Sequence, residues 1–119
     1  MNEKLKEKLE MTGVDVRAGI ERFMGNEGLY LKFTLRFLDD LNAQKLTDAF
    51  AEGDMDAALT AAHTLKGVCG NLSFQTLFNN ASEITNLLRE DKAEEAKAKL
   101  PELQKNYREL TEILREYSQ

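Results

Sequence analysis

The 119-residue chain contains one cysteine, one proline, one histidine and no tryptophan, and each scarcity excludes something. A single thiol closes no internal disulfide, and it fits a reducing compartment. One His and one Cys fall short of the four ligands of a structural zinc site. Zinc modules and most His- or Cys-rich enzymes are therefore set aside. Runs of alternating apolar and polar residues bounded by turn dipeptides are missing, so strand signals are weak throughout. No apolar run approaches the ~18–20 residues of a membrane span. The charged N-terminus, MNEKLKEKLEM, lacks the apolar region of a secretory signal. Positive charge is also short: 16 Lys and Arg stand against 21 Asp and Glu, a net charge of −5. That balance disfavours nucleic acid and anionic membranes as general partners. A cytoplasmic protein touching neither is expected.

What is present is helical periodicity in a chain long enough for one domain. Hydrophobic residues make up 42% and charged residues 31%, the balance of a folded protein rather than a disordered one. Val14 to Met24 reads as a short helix capped by Asp15 and closed near Gly25. A second helix is expected from Glu27 to Glu52, with an apolar stripe through Leu31, Leu35, Leu38, Leu41, Leu46 and Ala49. Gly53 suits its C-terminal turn and Asp54 the N-cap of the next helix. The third, from Met55 to Leu72, has the cleanest stripe: Met55, Ala58, Ala62, Leu65, Cys69 and Leu72. Ser73 is read as the N-cap of a fourth helix, running from Phe74 to Leu88. Asp91 is read as the cap of a fifth, from Lys92 to Tyr117, kinked or broken at Pro101. Residues 1–13 are polar with helical propensity and are read as an extra turn or a frayed arm ahead of a domain spanning 14–119. Short connections favour antiparallel neighbours. The expectation is an all-α, up-down-up-down four-helix bundle with a short additional N-terminal helix.

One stretch departs from the composition of the rest. Between Asp56 and Glu83 the only charged side chain is Lys66, and the only histidine, His63, lies in that window. At ~100° per residue His63 points roughly 130° from the centre of the core stripe, so it is expected to face solvent. Lys66 at i+3, Gly67 at i+4 and Gly70 at i+7 share its face, and Leu59 borders it one turn earlier. Two glycines inside a helix cost about 0.8–1 kcal/mol each relative to Ala. Placed outward, they remove side chains beside the imidazole. The face then offers an exposed nucleophile, a nearby ammonium group and no carboxylate, an arrangement suited to a phosphoryl group. Cys69 and the Phe and Leu stripes read as packing. The acidic pairs Asp39-Asp40 and Glu94-Glu95 read as solvated helix faces, and Tyr30, Phe33 and Phe37 mainly as core. No Gly-rich nucleotide loop is present, and no Ser, Cys or carboxylate constellation gathers around His63.

The run Ala62-His63-Thr64-Leu65-Lys66-Gly67, continuing Val68-Cys69-Gly70-Asn71-Leu72-Ser73, resembles the signature of histidine phosphotransfer (HPt) domains. That signature is His-x-Leu-Lys-Gly followed by small residues and Asn-Leu. The resemblance extends over about residues 14–117. It implies that His63 is the phosphoacceptor, that Lys66 neutralises the phosphoryl group, that Gly67 keeps the imidazole accessible and that Gly70 lets a partner approach. At Thr85 many members carry Gln or Glu able to hydrogen-bond near the His; Thr departs from that pattern. The resemblance further implies reversible transfer between His63, through Nε2, and an aspartate on response-regulator receiver domains, with a hybrid sensor histidine kinase upstream. The chain itself would need no cofactor, Mg²⁺ belonging to the receiver, and would act as a monomeric relay intermediate rather than an enzyme. Two other readings share the bundle. One is the phosphoacceptor domain of a chemotaxis-type kinase; the other is a helical adaptor that no longer carries phosphate.

Overall fold

The structure is a computed structural model that describes residues 1–118. Eight α-helices account for most of those residues: α1 (Glu3–Met11), α2 (Val16–Arg22), α3 (Glu27–Arg36), α4 (Asn42–Glu52), α5 (Met55–Leu72), α6 (Gln75–Arg89), α7 (Ala93–Ala98) and α8 (Leu100–Ser118). A 3₁₀ turn, Phe37–Asp39, follows α3. There is no strand among the described residues, only an isolated bridge between Val14 and Phe74. None of these helices is long and apolar enough to cross a membrane.

The central element is α5, and its bounds match the sequence reading. Gly53 takes the left-handed conformation (φ 71°) that ends α4. Asp54 accepts from Ala57 N at 3.0 Å and starts α5. Ala58, Ala61, Ala62, Leu65, Cys69 and Leu72 are buried along it. It packs against α4 on one side and α6 on the other, while α8 covers α6. Burying each leucine of such a stripe contributes roughly 1.5–3 kcal/mol, so the stripe fixes which face of α5 remains outside.

Three expectations are corrected by tertiary detail. The long helix expected over Glu27–Glu52 is two helices, α3 and α4. At the break Asp40 is extended (ψ 128°) and its carboxylate accepts from Asn42 N at 2.9 Å. An aspartate competes for backbone donors and favours such a cap over a helix interior. Asp40 is therefore a capping residue rather than part of a solvated face. Leu41 swings outward, 64% exposed, and leaves the stripe.

Ser73 does not cap α6. It is a left-handed residue (φ 58°) closing α5. The orphan N–H groups of α6 are met from elsewhere in the chain: Gln75 N and Thr76 N donate to the Gly13 carbonyl at 3.0 and 3.3 Å. Only glycine fits there, since φ is +86° and a Cβ would overlap the Thr76 side chain.

Likewise, Asp91 is a left-handed turn residue (φ 63°) rather than a helix cap. The break expected near Pro101 is present: α7 ends at Ala98 and α8 begins at Leu100. Pro101 is the second residue of α8, in the first turn, where its missing N–H is tolerated.

The helical propensity of residues 1–13 is realised in the structure. They form the nine-residue helix α1, capped by Asn2, with Leu5 and Leu9 buried. It lies on α8, where Lys8 and Glu116 pair at 3.2 Å.

Candidate functional site

His63 sits midway along α5, far from frayed ends, and is exposed. Its neighbours in sequence, Ala61 and Ala62, are buried, as is Leu65. The burial of these three residues holds the helix in the register that turns the imidazole outward. Thr64, next to it, returns its hydroxyl to the Thr60 carbonyl at 2.9 Å and so offers the ring no donor.

The two glycines on this face have different physical roles. Around Gly67 an added Cβ would meet nothing within 4 Å. The fold does not require glycine there, and its effect is to leave space one turn from His63. Gly70 is different. An added Cβ would stand 3.2 Å from the Phe78 ring, so this glycine lets α6 approach α5. The expectation that Gly70 is an outward position kept small for a partner is thus corrected: it is half-buried at a helix contact.

Lys66 is half-buried and forms no ion pair among the described residues. Leu59 is likewise half-buried, one turn before the histidine. Thr85 does not reach the surface. It is fully buried and donates its hydroxyl to the Ala81 carbonyl at 2.7 Å, so it does not take the place of a Gln or Glu hydrogen-bonding near the histidine.

The contact that sequence reasoning missed comes one turn further along α6. The Arg89 guanidinium Nη2 lies 3.3 Å from His63 Nδ1. Guanidinium nitrogens are donors only, so Nδ1 is the acceptor and the neutral ring carries its proton on Nε2. Arg89 is the last residue of α6, where a cation also complements the helix C-terminus. The neighbouring carboxylate, Glu90, is turned to Lys92 at 3.2 Å. The sequence signal was available: Arg89 stands at i+4 from Thr85, on the face already matched to the histidine.

The site is therefore a shallow, open face with one nucleophile and two cations, Lys66 and Arg89. Among the described residues no cluster of three or more His, Cys, Asp or Glu is placed to hold a metal ion. Cys69 is buried and burial pushes its thiol above the ordinary range, which makes it a packing residue. A separate cleft of about 710 Å³ opens between α2, α3 and the C-terminal half of α5. Phe23, Phe33, Phe37 and Val68 give it an apolar floor, with Arg22 and Arg36 at its rim. Of the three aromatics read mainly as core, Tyr30 and Phe37 are buried and Phe33 is 38% exposed. His63 does not line this cleft.

No curated protein and no solved structure matches the chain at a significant level. The family model of the Hpt domain matches residues 35–117, well over half of the chain, and the match includes α4 to α7, most of α8, His63 and Arg89. With that match the chain belongs to the Hpt domain family, whose members carry phosphoryl groups on histidine in two-component signalling.

Proposed function

We propose that this protein accepts a phosphoryl group on His63 from an aspartyl phosphate of a response-regulator receiver domain and passes it to another. The observation that carries this reading is the face itself. An exposed imidazole is fixed mid-helix, with Lys66 one turn on, Arg89 in contact and open space over Gly67. In the transfer, the Nε2 lone pair forms the N–P bond as the acyl-phosphate P–O bond breaks, and that bond pair stays on the donor carboxylate. The reaction needs little covalent chemistry from the protein beyond positioning and charge. Lys66 supplies a mobile point charge for the phosphoryl oxygens. Gly67 leaves the approach line clear. Mg²⁺ and its acidic cage belong to the receiver in this reading, and this chain contributes the nucleophile and the docking face.

Helices α4, α5, α6 and α8 supply the four long members of the proposed up-down-up-down bundle. The two-residue links on either side of α5 favour antiparallel neighbours. Gly70 beside Phe78 and His63 beside Arg89 support that direction for α5 and α6. A relay carrier acts in both directions and has no turnover of its own.

Incubation with receivers bearing aspartyl phosphate tests the reading. Acid-labile, base-stable label on this chain, absent from His63→Gln, is the expected result. Competent receivers that leave no label on the wild-type chain overturn it in favour of an adaptor.

A further inference from the structure

We propose, building on the reading of His63 as the phosphoacceptor, that Arg89 is a positioning residue that holds Nδ1 of His63 unprotonated. It thereby keeps the phosphorylated ring in its neutral, slowly hydrolysing form.

The geometry sets the polarity of this contact. A Gln or Glu side chain beside the ring offers an oxygen to which Nδ1–H can donate, leaving the Nε2 lone pair free. Here position 85 is a buried threonine committed to Ala81, and the only side chain hydrogen-bonded to the ring among the described residues is a permanent cation with donors only. Arg89 and a proton on Nδ1 compete for the same lone pair.

In the free protein this favours the tautomer with hydrogen on Nε2, from which Nε2 cannot attack. Accepting phosphate then requires Arg89 to release Nδ1, so that a proton leaves Nε2 to solvent and one is taken up at Nδ1. After Nε2 attacks, the ring holds the phosphoryl group on Nε2 and the proton on Nδ1. Loss of that proton to solvent restores a neutral ring, whose bare Nδ1 again accepts from Arg89. Departure of the phosphoryl group to water or to a carboxylate is easiest from the ring protonated at Nδ1, because neutral imidazole is then the leaving group. By occupying Nδ1, Arg89 opposes that protonation. The same side chain slows acceptance and lengthens the life of the product.

Other charged groups around α5 are placed differently. Lys66 is on the same helix one turn on. Lys45, Asp48 and Glu52 of α4 line a groove with Thr60 and Thr64. Arg22 and Arg36 of α2 and α3 rim the cleft beside Val68 and Asn71.

The single histidine makes the test clean, because ring ¹⁵N signals come from His63 alone. In the unphosphorylated protein at a pH where the ring is neutral, the wild type should show Nδ1 unprotonated. Arg89→Leu should raise the Nδ1–H fraction toward that of a free imidazole side chain. Phosphoramidate, a small-molecule donor, then labels the ring without any receiver, and ³¹P signals follow its loss against pH. Near pH 7 the label on Arg89→Leu should be lost about threefold or more faster, a discounted share of a charged hydrogen bond's effect. The acceleration with acid should begin at higher pH, and Arg89→Lys should restore most of the wild-type profile. An unchanged tautomer ratio, an unchanged pH profile in Arg89→Leu, or stable wild-type label on Nδ1 overturns the proposal. Because the label comes from phosphoramidate, such a failure is distinct from a failure of receiver transfer.

Discussion

The phenol of Tyr30 donates to the main-chain carbonyl of Leu72 at 2.8 Å, tying α3 to the last residue of α5. The contact spans 42 residues of sequence and is fully buried. Its ring lies over Gly19, where any Cβ would overlap it, and meets Phe23 edge-on at 5.7 Å. The α2–α3 pair is thus pinned to the C-terminal end of the helix that carries His63. Tyr30→Phe keeps the ring and strips the Leu72 carbonyl of this donor. It should lower stability by about 1–2 kcal/mol. Urea unfolding reads the loss, while phosphotransfer to His63, at the middle of α5, stays near wild type.

Alkali should act through the same phenol. Burial pushes the Tyr30 hydroxyl up from 10.0 to about 12, so the folded state holds this proton more tightly than the unfolded chain does. Its contribution is complete below pH 10 and is lost as pH rises from 10 toward 12. The total is on the order of 2–3 kcal/mol. Tyr107, raised by burial, and Lys99, raised by its hydrogen bond to Glu83, lose stabilisation in the same direction. Stability measured between pH 9 and 12 should therefore fall steeply in the wild type and less steeply in Tyr30→Phe.

The two glycines of α5 should separate fold from function. Gly67→Ala places a methyl in open space inside a helix and should stabilise the protein by ~0.5–1 kcal/mol. It should nevertheless slow phosphotransfer, because the methyl stands beside the imidazole. Gly70→Ala gains the same helix propensity but drives a methyl against the Phe78 ring at 3.2 Å. Its thermal midpoint should lie below that of Gly67→Ala, and Gly70→Ala with Phe78→Leu should recover the difference. Equal midpoints for the two single variants would remove the distinction drawn between them.

The N-terminal helix should prove to be part of the cooperative unit. Leu9 is fully buried between α1 and the body of the domain, although the family match begins only at residue 35. Leu9→Ala should cost about 2–3 kcal/mol. Amides of α1 and α8 should then exchange faster together in hydrogen-exchange measurements. A loss confined to fraying of α1, with unchanged protection in α8, would show that α1 is only appended.

Much of the site was legible from local pattern. Asp54, Gly53 and the spacing from Met55 to Leu72 set α5 and its register, and the register alone turned His63 outward. Lys66 and Gly67 followed, being within one turn of the same helix. Less legible were features in which one segment completes another. Gly13 caps α6 across 62 residues of chain to Gln75, and no local signal at Ser73 announces that. The break at Asp40 depended on a side chain choosing a backbone donor over helix continuation. Gly70 looked free because Phe78 belongs to the next helix.

The sequence by itself determined the helical class, the core stripe of α5, the outward histidine and the scarcity of charge around it. Those properties repeat along one chain segment, and periodicity reports them. Only the tertiary structure decided which groups surround the ring. Thr85 turned inward to Ala81 and Arg89, 26 residues from His63, turned toward Nδ1. That choice rests on how α6 lies across α5, which the meeting of Gly70 with Phe78 and the buried stripes set together. The proton on a single imidazole is thereby governed by the packing of two helices rather than by the motif that contains it.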